Sequence, residues 1–256
     1  KWRPTSFSTA LITVMPDFQN VEQEVESIDF SYTERFLSDR RPFFAEGGGF
    51  SPASEAFYSR RIKEIDFGTK FFGRFGKYSV GVLDTLKIKK KNDLALNLKR
   101  DICKLSNVSL SVVDARGDNI ENTVLGGSLK WGFSSFNNAS VSFYKSQTKG
   151  AGGDGTFLKL HLFKWGLPGE IGYMLSLSDV EKEYNPVDAF IPEKGLRKGT
   201  VWTRYGKKPE TGFLEEWYVE NSANLALDYS RELRYWHLAP SVTTRLRNDI
   251  QLQLGT

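Results

Sequence analysis

The strongest constraint on the fold of this chain is a period-two alternation of apolar and polar residues that recurs along most of its length. In the stretch 94–102, Leu94, Leu96 and Leu98 alternate with polar residues. Side chains two positions apart share one face of a β-strand, so each such stretch predicts a strand with one apolar and one polar face. The predicted strands are 6–14, 66–74, 77–86, 94–102, 106–114, 122–133, 138–147, 156–164, 169–178, 197–205, 213–229, 231–238, 240–247 and 249–254, with a charged turn at Lys87–Asp93.

The region before the long run of strands has a different texture. Apolar residues recur at helical spacing after Asn20, a suitable N-cap, so a helix is predicted over 20–27. A short helical turn is predicted over 33–39, ended by Pro42, because the residue before a proline avoids the helical conformation. The acidic residues of this region are predicted to form a solvated or salt-bridged face; they are Asp17, Glu22, Glu24, Glu26 and Asp29.

Composition argues against several function classes. The net charge is only +4, without the clustered basic stripe that nucleic-acid binding needs, so no nucleic-acid partner is predicted. No stretch approaches the roughly 20 apolar residues of a membrane-spanning helix, although a spanning strand needs only about 9–11 residues. Cys103 is the single cysteine, and His161 and His237 are the two histidines. We therefore predict no metal site, no cofactor and no catalytic residue.

The residues alone leave the architecture open between an outer-membrane-type β-barrel and a soluble sandwich or jelly roll. The polar faces carry Lys, Asp, Glu, Asn and Ser, which suits a wet barrel interior. Aromatic residues near strand ends suit an interfacial girdle. These aromatic residues are Trp165, Tyr173, Trp202, Tyr205, Trp217, Tyr218, Tyr235 and Trp236.

A series of motifs resembles, in order, the motifs of one uncharacterised bacterial family. They are Pro16-Asp17-Phe18 followed by Val21-Glu22, Arg40-Arg41-Pro42-Phe43-Phe44-Ala45-Glu46-Gly47, Phe57-Tyr58-Ser59-Arg60-Arg61-Ile62, Lys70-Phe71-Phe72-Gly73-Arg74 and Ser79-Val80-Gly81-Val82-Leu83-Asp84. A looser one is Tyr184-Asn185-Pro186-Val187-Asp188-Ala189-Phe190-Ile191-Pro192. The tract 94–165 is similar in pattern rather than in letters. Met15, Arg40 and Ala189 depart from the residues usual in the family.

In that family, a predicted outer-membrane β-barrel region commonly follows a family-nine-type carbohydrate-binding domain. The resemblance therefore implies an all-β, antiparallel outer-membrane-type barrel, of which this chain, starting at Lys1 without a leader, would be the front part. Residues 1–256 would form one barrel region, with 16–62 as a luminal or periplasmic latch segment and 65–256 as antiparallel strands. The resemblance implies no reaction, because the family has no established activity or catalytic residues, and enzymatic activity stays open.

The candidate binding residues lie before the first long strands. Arg40 and Arg41, close to Glu46 and its glycine-rich turn, can hold a carboxylate, phosphate or sugar-acid group bidentately. The alternative, which we favour, is that they pair with nearby acids and fix a latch. Arg60 and Arg61 are predicted to point to opposite faces of a strand, so only one of them would line a polar interior.

We therefore expect a bacterial outer-membrane β-barrel protein with a role in envelope transport, anchoring or surface assembly. Its expected partners are membrane lipid and other envelope proteins or glycans. Two alternatives stay open. One is a secreted, soluble carbohydrate-binding β-sandwich with Trp202, Trp217 or Trp236 as sugar platforms, and the other is an envelope glycan hydrolase that uses Glu46 or Asp17 with a second carboxylate.

The barrel hypothesis predicts which way side chains face, because apolar positions would meet lipid and polar positions the interior. The residues predicted to face outward are Leu94, Leu96, Leu98, Ile171, Leu175 and Leu177. Those predicted to face inward are Asn97, Lys99 and Asp101. Leucines interdigitating between two sheets would instead indicate a sandwich.

Overall fold

The structure, a computed structural model, describes residues 1–18, 34–149 and 153–255. Within these ranges it contains fourteen strands, one short α-helix and two 3-10 turns. The strands are β1 (Trp2–Thr5), β2 (Ser8–Val14), β3 (Phe67–Phe75), β4 (Tyr78–Lys87), β5 (Lys91–Cys103), β6 (Ser106–Gly117), β7 (Ile120–Ser134), β8 (Asn137–Thr148), β9 (Gly153–Lys164), β10 (Gly172–Val180), β11 (Leu196–Lys207), β12 (Leu214–Asp228), β13 (Leu233–Leu246) and β14 (Gln251–Gly255). Helix α1 comprises Pro42–Ala45, and the 3-10 turns comprise Gly48–Phe50 and Ser59–Arg61.

All of these strands belong to one sheet with an up-and-down order, in which each strand pairs antiparallel with its neighbour in sequence. Among the described residues, β1 pairs only with β2 and β14 only with β13, so the sheet is open. Two long connections lie at the same end of the sheet. They include residues 34–65, here called the inner segment, and residues 181–195, here called the inner loop. The predicted all-β antiparallel architecture is confirmed, as an open meander of the barrel type.

The two faces of the sheet differ as the alternation predicts. The inner face carries the inner segment, and Asn97 lies there, with its side-chain amide donating to the Phe50 carbonyl at 3.0 Å. The outer face carries exposed leucines: Leu98, Leu175 and Leu177 keep 45%, 38% and 43% of their surface exposed. Because the described strands form one sheet, these leucines do not interdigitate with a second one. The sandwich architecture is therefore wrong for this chain.

The hydrophobic core lies between the inner segment and one end of the inner face. Phe43, Phe44, Phe57 and Ile62 of the segment are buried there. The core residues contributed by the sheet and the inner loop are Leu11, Leu83, Ala95, Val113, Val124, Tyr144, Phe157, Val180 and Tyr184. Further along the strands the inner face is polar, with one row across neighbouring strands formed by Ser140, His161, Ser176, Thr200, Asn224 and His237.

Some predicted strand boundaries were wrong. The predicted strand 6–14 begins only at Ser8, because a tight turn joins it to β1. The predicted charged turn shrinks to residues 88–90, and the charged residues on both sides of it pair within the sheet. The predicted strands 231–238 and 240–247 are one strand, β13, that passes through Pro240. Strand β14 pairs only with Ser241–Arg245, so Pro240 sits at an edge position, where a missing N–H is tolerated.

The helical predictions of the N-terminal region had mixed outcomes. The helix predicted over 20–27 and most of the acidic face lie outside the described residues. Residues 34–39 are not helical, and Pro42 begins helix α1 instead of ending a helical turn. Proline is well suited to a first helical position, because its fixed φ fits and its missing N–H is not needed there. No helix in the described ranges is long and apolar enough to cross a membrane.

Docking of the inner segment requires a glycine on strand β4. A Cβ atom on Gly81 would overlap the main-chain carbonyl of Phe50, whereas a Cβ on Gly199 would meet only Leu177, at 3.6 Å. We predict that Gly81→Ala lowers the free energy of unfolding by about 1–3 kcal/mol through overpacking. Gly199→Ala is the matched control and should change it by less than about 0.5 kcal/mol. Equal effects of the two variants in denaturant titrations would contradict this account of docking.

Candidate functional site

The inner segment and the inner loop meet on the inner face of the sheet and form the candidate functional site. They contact each other through the main chain, since the Tyr58 amide donates to the Asp188 carbonyl at 2.5 Å. Neither stretch has enough regular structure to satisfy its own main-chain groups. Side chains from the strands and from within the two stretches supply the remaining partners, and these contacts define the site.

Arg41 ties the two ends of the inner segment together. Its guanidinium forms a two-point ion pair with Asp39, from Nε to Oδ1 at 2.9 Å and from Nη2 to Oδ2 at 2.6 Å. It also donates to the carbonyls of Ile62 and Ser59 at 2.6 Å and 2.8 Å. The same group lies 4.1 Å from the ring centroid of Phe44. Arg41 is buried and most of its donors are occupied, which fits the latch interpretation.

The pKa of Asp39 reflects this ion pair. Burial by itself would raise the pKa of the carboxyl, but hydrogen bonds from Arg41 and from the Ser59 hydroxyl outweigh burial and lower it below its usual value. Because the folded pKa is depressed, the stabilisation is present above the ordinary carboxyl pKa and is lost as pH falls through the folded value. The Asp39–Arg41 pair therefore stays charged at neutral pH.

Arg60 and Arg61 lie in a 3-10 turn rather than on a strand, so the prediction that they point to opposite faces of a strand is wrong. Hydrogen bonds between main-chain groups three residues apart form this turn. Arg61 donates to the Ala189 carbonyl of the inner loop at 3.1 Å and pairs with Glu34 at 2.5 Å. Arg60 makes a longer contact, 3.4 Å, with the Ser38 carbonyl. Arg61 thus joins the inner segment to the inner loop.

The other two predicted residues are more exposed than Arg41. Arg40 is exposed, and the Glu46 carboxylate pairs with the Lys1 ammonium. The structure therefore does not gather the five predicted residues around one ligand position. Anion binding by this group stays a prediction, and the observed contacts of Arg41 and Arg61 are those of a latch.

Two inner-face side chains bind the main chain of the inner segment. Lys70 on β3 is 5% exposed, and its ammonium donates to the Phe44 carbonyl at 2.7 Å. Asn97 on β5 donates to the carbonyls of Phe50 and Ser51 at 3.0 Å and 3.2 Å. Buried carbonyls without partners would be costly, so these bonds replace the water that docking removes.

The inner loop is held in the same way. Asn122 on β7 donates to the Asn185 carbonyl at 3.1 Å and accepts from the Val187 amide at 3.1 Å. The Asn185 amide donates to the Ser146 hydroxyl at 3.0 Å. Asn122 thus uses both ends of its amide to fix two main-chain groups of the loop in register with the sheet.

Tyr184 connects the inner loop to the inner segment. Its side chain is fully buried, and its hydroxyl donates to the Glu55 carbonyl at 2.6 Å. Burial, with the nearby Tyr144 and Glu55, raises the pKa of the Tyr184 hydroxyl, which therefore stays protonated and keeps donating. The Glu55 carboxylate in turn faces Lys159 on β9 at 3.4 Å.

A buried charge cluster joins the inner loop to strand β5. The Lys91 ammonium lies 2.5 Å from Asp188 Oδ1 and 2.7 Å from Asp93 Oδ1. Asp188 is 1% exposed and Asp93 is 3% exposed. The cluster brings two carboxylates to one lysine, so it carries an excess of negative charge when both are ionised.

A second cluster lies on the inner face at the opposite end of the sheet. The rings of Trp165 and Trp202 stack at 5.8 Å with an interplanar angle of 18°. The Arg204 guanidinium lies 3.8 Å from the ring centroid of Tyr218 and 5.1 Å from that of Trp165, and its Nη2 lies 3.5 Å from Glu216. Aromatic faces, a cation and a carboxylate are thus presented together.

An open groove of about 790 Å³ lies between the inner loop and the turn from β12 to β13. Lys182, Glu193 and Lys194 line one wall, and Asp228 and Arg234 line the other. Arg234 pairs with Asp228 at 3.0 Å. The charges on the two walls largely balance, so the groove does not select for one sign of charge.

The sequence-based prediction missed most residues that hold the site together, including Lys91, Asp93 and Asp188. One signal pointed to the inner loop: residues 184–192 form the looser family-like motif, and they contain Tyr184. The strand partners carry no such signal, because a single Asn or Lys on the polar face of a strand looks like any solvated residue.

In the described ranges, no group of three or more His, Cys, Asp or Glu residues is placed to hold a metal ion. The chain has no match among protein-family models, curated proteins or solved structures. The arrangement of the site therefore has to be interpreted from its own geometry.

The ion pair of Arg41 can be tested by removing its charge. Arg41→Met keeps the length of the side chain but leaves the buried Asp39 carboxylate unpaired, so we predict a loss of about 3–5 kcal/mol in the free energy of unfolding. Arg60→Met is the matched control, since Arg60 makes only a long contact, and should cost less than about 0.5 kcal/mol. A loss below 1 kcal/mol for Arg41→Met in denaturant titrations would show that Arg41 is not the anchor.

Proposed function

We propose that this chain is a β-barrel region of the bacterial outer membrane, whose interior is narrowed by the inner segment and the inner loop. The proposal includes membership of the barrel family that its motifs resemble. Its role would be envelope transport, anchoring or surface assembly. The observation that carries the proposal is the apolar outer face of the sheet, which continues from strand to strand.

The outer face exposes more apolar surface than a soluble monomer normally does. Contiguous exposed apolar patches on soluble monomers rarely exceed a few hundred Å². Here large apolar side chains on successive strands keep more than a third of their surface exposed, including Leu98, Leu110, Leu125, Leu129, Phe143, Leu158, Leu160, Leu175, Leu177, Val201, Leu225, Trp236, Leu238 and Val242. Hydrocarbon chains of lipids are the solvent in which such a surface is stable.

Charged residues limit the apolar band at both ends. Asp84, Asp114 and Arg197 lie on the outer face near the end of the sheet that carries the inner segment. Arg100 and Lys164 lie on the outer face near the opposite end. Strands β3 to β13 have 9 to 15 residues, enough for the roughly 9–11 that cross a bilayer as a tilted strand, and on β4 the charged limits enclose the seven residues Tyr78–Asp84.

Aromatic residues cluster at one limit of this band. Tyr78, Tyr173, Tyr205 and Trp217 lie on the outer face towards the end opposite the inner segment, and Tyr205 and Trp217 pack edge to face at 6.0 Å. Trp202 and Tyr218, also predicted for the girdle, lie on the inner face instead. Amphipathic rings favour the boundary between hydrocarbon and headgroups, so their position supports a membrane interface at this end.

Two shallow grooves on the outer face also favour lipid. One, of about 340 Å³, is lined mainly by apolar side chains that include Leu129, Leu160 and Leu175. The other, of about 300 Å³, lies beside Leu177 and Leu225. Grooves between rows of leucine accept acyl chains without any polar partner.

The membrane proposal predicts different surroundings for neighbouring residues of one strand. In a Cys103→Ser background, Leu175→Cys on the outer face and Ser176→Cys on the inner face each receive an environment-sensitive dye in lipid vesicles. We predict an apolar emission and strong quenching by brominated lipid tails at position 175, and neither at position 176. Positions 98 and 99 repeat the comparison on β5.

A matched stability test uses a charge on each face. Leu175→Arg should lower folding stability in vesicles by about 2–4 kcal/mol, whereas Ser176→Arg should have little effect. Equal dye environments at positions 175 and 176, or a chain that stays in the aqueous phase without detergent, would contradict the membrane proposal.

A second candidate function, glycan contact, is favoured by the stacked pair of Trp165 and Trp202 beside Arg204 and Glu216. Sugar rings pack their C–H faces on aromatic rings and bond their hydroxyls to such polar groups. We predict that Trp202→Ala weakens binding of a neutral oligosaccharide about tenfold, measured by calorimetry over a panel of glycans. Trp236→Ala, on the outer face, is the control and should leave binding unchanged. Absence of binding across the panel would remove this candidate.

A further inference from the structure

The cluster of Lys91, Asp93 and Asp188 has fewer hydrogen-bond donors than its two buried carboxylates can accept. The Lys91 ammonium lies 2.5 Å from Asp188 Oδ1 and 2.7 Å from Asp93 Oδ1, so one cation serves both carboxylates. The buried Asp188 Oδ2 has no hydrogen-bond donor. An ionised carboxylate accepts only, so the two groups cannot satisfy each other while both are charged.

One proton would resolve this deficit. A protonated Asp93 gains an O–H donor, which can serve the Asp188 carboxylate beside it, and the cluster then holds one positive and one negative charge. Without the proton, two negative charges share one Lys91, and both carboxylates are almost fully removed from water, where uncompensated charge is costly.

We propose that Asp93 and Asp188 form a proton-binding site, and that the bound proton fastens the inner loop and the inner segment to strand β5. Asp188 is suited to this role because its side chain and its main chain both accept hydrogen bonds from other parts of the protein. Its carboxylate accepts from Lys91 at 2.5 Å, and its carbonyl accepts from the Tyr58 amide of the inner segment at 2.5 Å.

The electrostatics of Asp93 support the geometry. Burial, with the charge of Asp188, raises the pKa of Asp93 to about 7, although Lys91 acts in the opposite direction. Asp93 lies at the charged end of β5: its neighbour Asn92 donates to Asp84 on the outer face at 3.0 Å. The group therefore lies outside the apolar band.

The groups that face Asp93 come from three elements. Thr85 on β4 donates to Asp93 Oδ2 at a long 3.4 Å, Lys91 comes from β5 itself, and Asp188 comes from the inner loop. On β6, the residue paired with Asp93 is Ala115, which carries no charge. Lys91 is the cation that lowers the pKa of Asp93, and Asp188 is the anion that raises it.

The direction of the pH effect follows from the raised pKa. With the loop docked, Asp93 holds its proton up to about pH 7, whereas an undocked Asp93 would lose it near the ordinary value of 3.8. Between these two pH values, docking of the inner loop is coupled to uptake of one proton by Asp93. The stabilisation of the docked state by this proton declines as pH rises towards 7 and is lost above it. The inner loop should release more readily in alkaline than in mildly acidic solution.

Amide hydrogen exchange can measure this release in the full chain. The reporters are amides whose bonds join the two stretches, namely Tyr58, which donates to Asp188, and Phe190, which donates to Ser54. After correction for the intrinsic pH dependence of exchange, we predict that their protection falls on the order of 10- to 100-fold between pH 5 and pH 8. Amides within the β5–β6 hairpin serve as the internal reference and should not change.

Variants separate proton binding from general loosening. Asp93→Asn supplies a neutral donor in place of the protonated acid, so protection should stay high and independent of pH. Asp66→Asn is the matched control, since Asp66 pairs with Lys87 at 2.9 Å near the same end of the sheet, and the second carboxylate there, Glu64, is exposed to solvent. It should retain the wild-type pH profile.

A direct titration covers the case in which Asp93→Asn does not fold. Carbon-13 NMR of the aspartate carboxyls in the unmodified chain should show one aspartate that titrates near pH 7. The proposal would be overturned by a flat wild-type exchange profile, by a wild-type profile in Asp93→Asn, or by aspartates that are all ionised at pH 6. None of these measurements depends on where in the cell the chain resides.

Discussion

The structure depends on hydrogen bonds between side chains of the inner face and the main chain of the two stretches that cover it. Lys70 and Asn97 hold the inner segment, and Asn122 holds the inner loop. A sheet that turns its apolar residues outward cannot form its core in the usual way, by packing two apolar faces together. The stretches on its inner face have to bring apolar side chains and also have their carbonyls and amides satisfied. Removing these partners would leave an apolar outer surface and an uncovered inner end.

Two aspartates of the site show how surroundings decide the behaviour of one residue type. Asp39 has an arginine fork and a hydroxyl as partners, which outweigh burial and lower its pKa. Asp93 has a second carboxylate beside it and shares its lysine, so burial and repulsion raise its pKa to about 7. Asp39 therefore keeps its ion pair with Arg41 throughout the neutral pH range. Asp93 makes the attachment of the inner loop responsive to pH, and both act on the same assembly.

The membrane proposal and the proton site concern different surfaces. The outer face carries a band of leucines bordered by charged residues and aromatic rings. This face determines whether the sheet is more stable in lipid or in water. The contacts made by the inner face determine how much of it the inner segment and the inner loop cover and how strongly these two stretches are held. An inner face that is covered by a segment held through single side chains can be uncovered in parts while the strand ladder stays intact, because local opening breaks few bonds compared with unfolding of the sheet.

The sequence by itself determined the strands and the faces of the sheet, because alternation with period two assigns each side chain to one side of a strand whatever its neighbours are. It failed at Pro42, which was predicted to end a helical turn but begins a helix, and at 231–247, where two strands were predicted in place of the single strand that passes through Pro240. It also placed Arg60 and Arg61 on a strand, since local pattern does not register a 3-10 turn. Only the tertiary structure decided that Asp188 meets Lys91 and Asp93. The two stretches of chain are far apart in sequence, and their contact depends on how the inner loop folds back across the sheet, which no local pattern encodes.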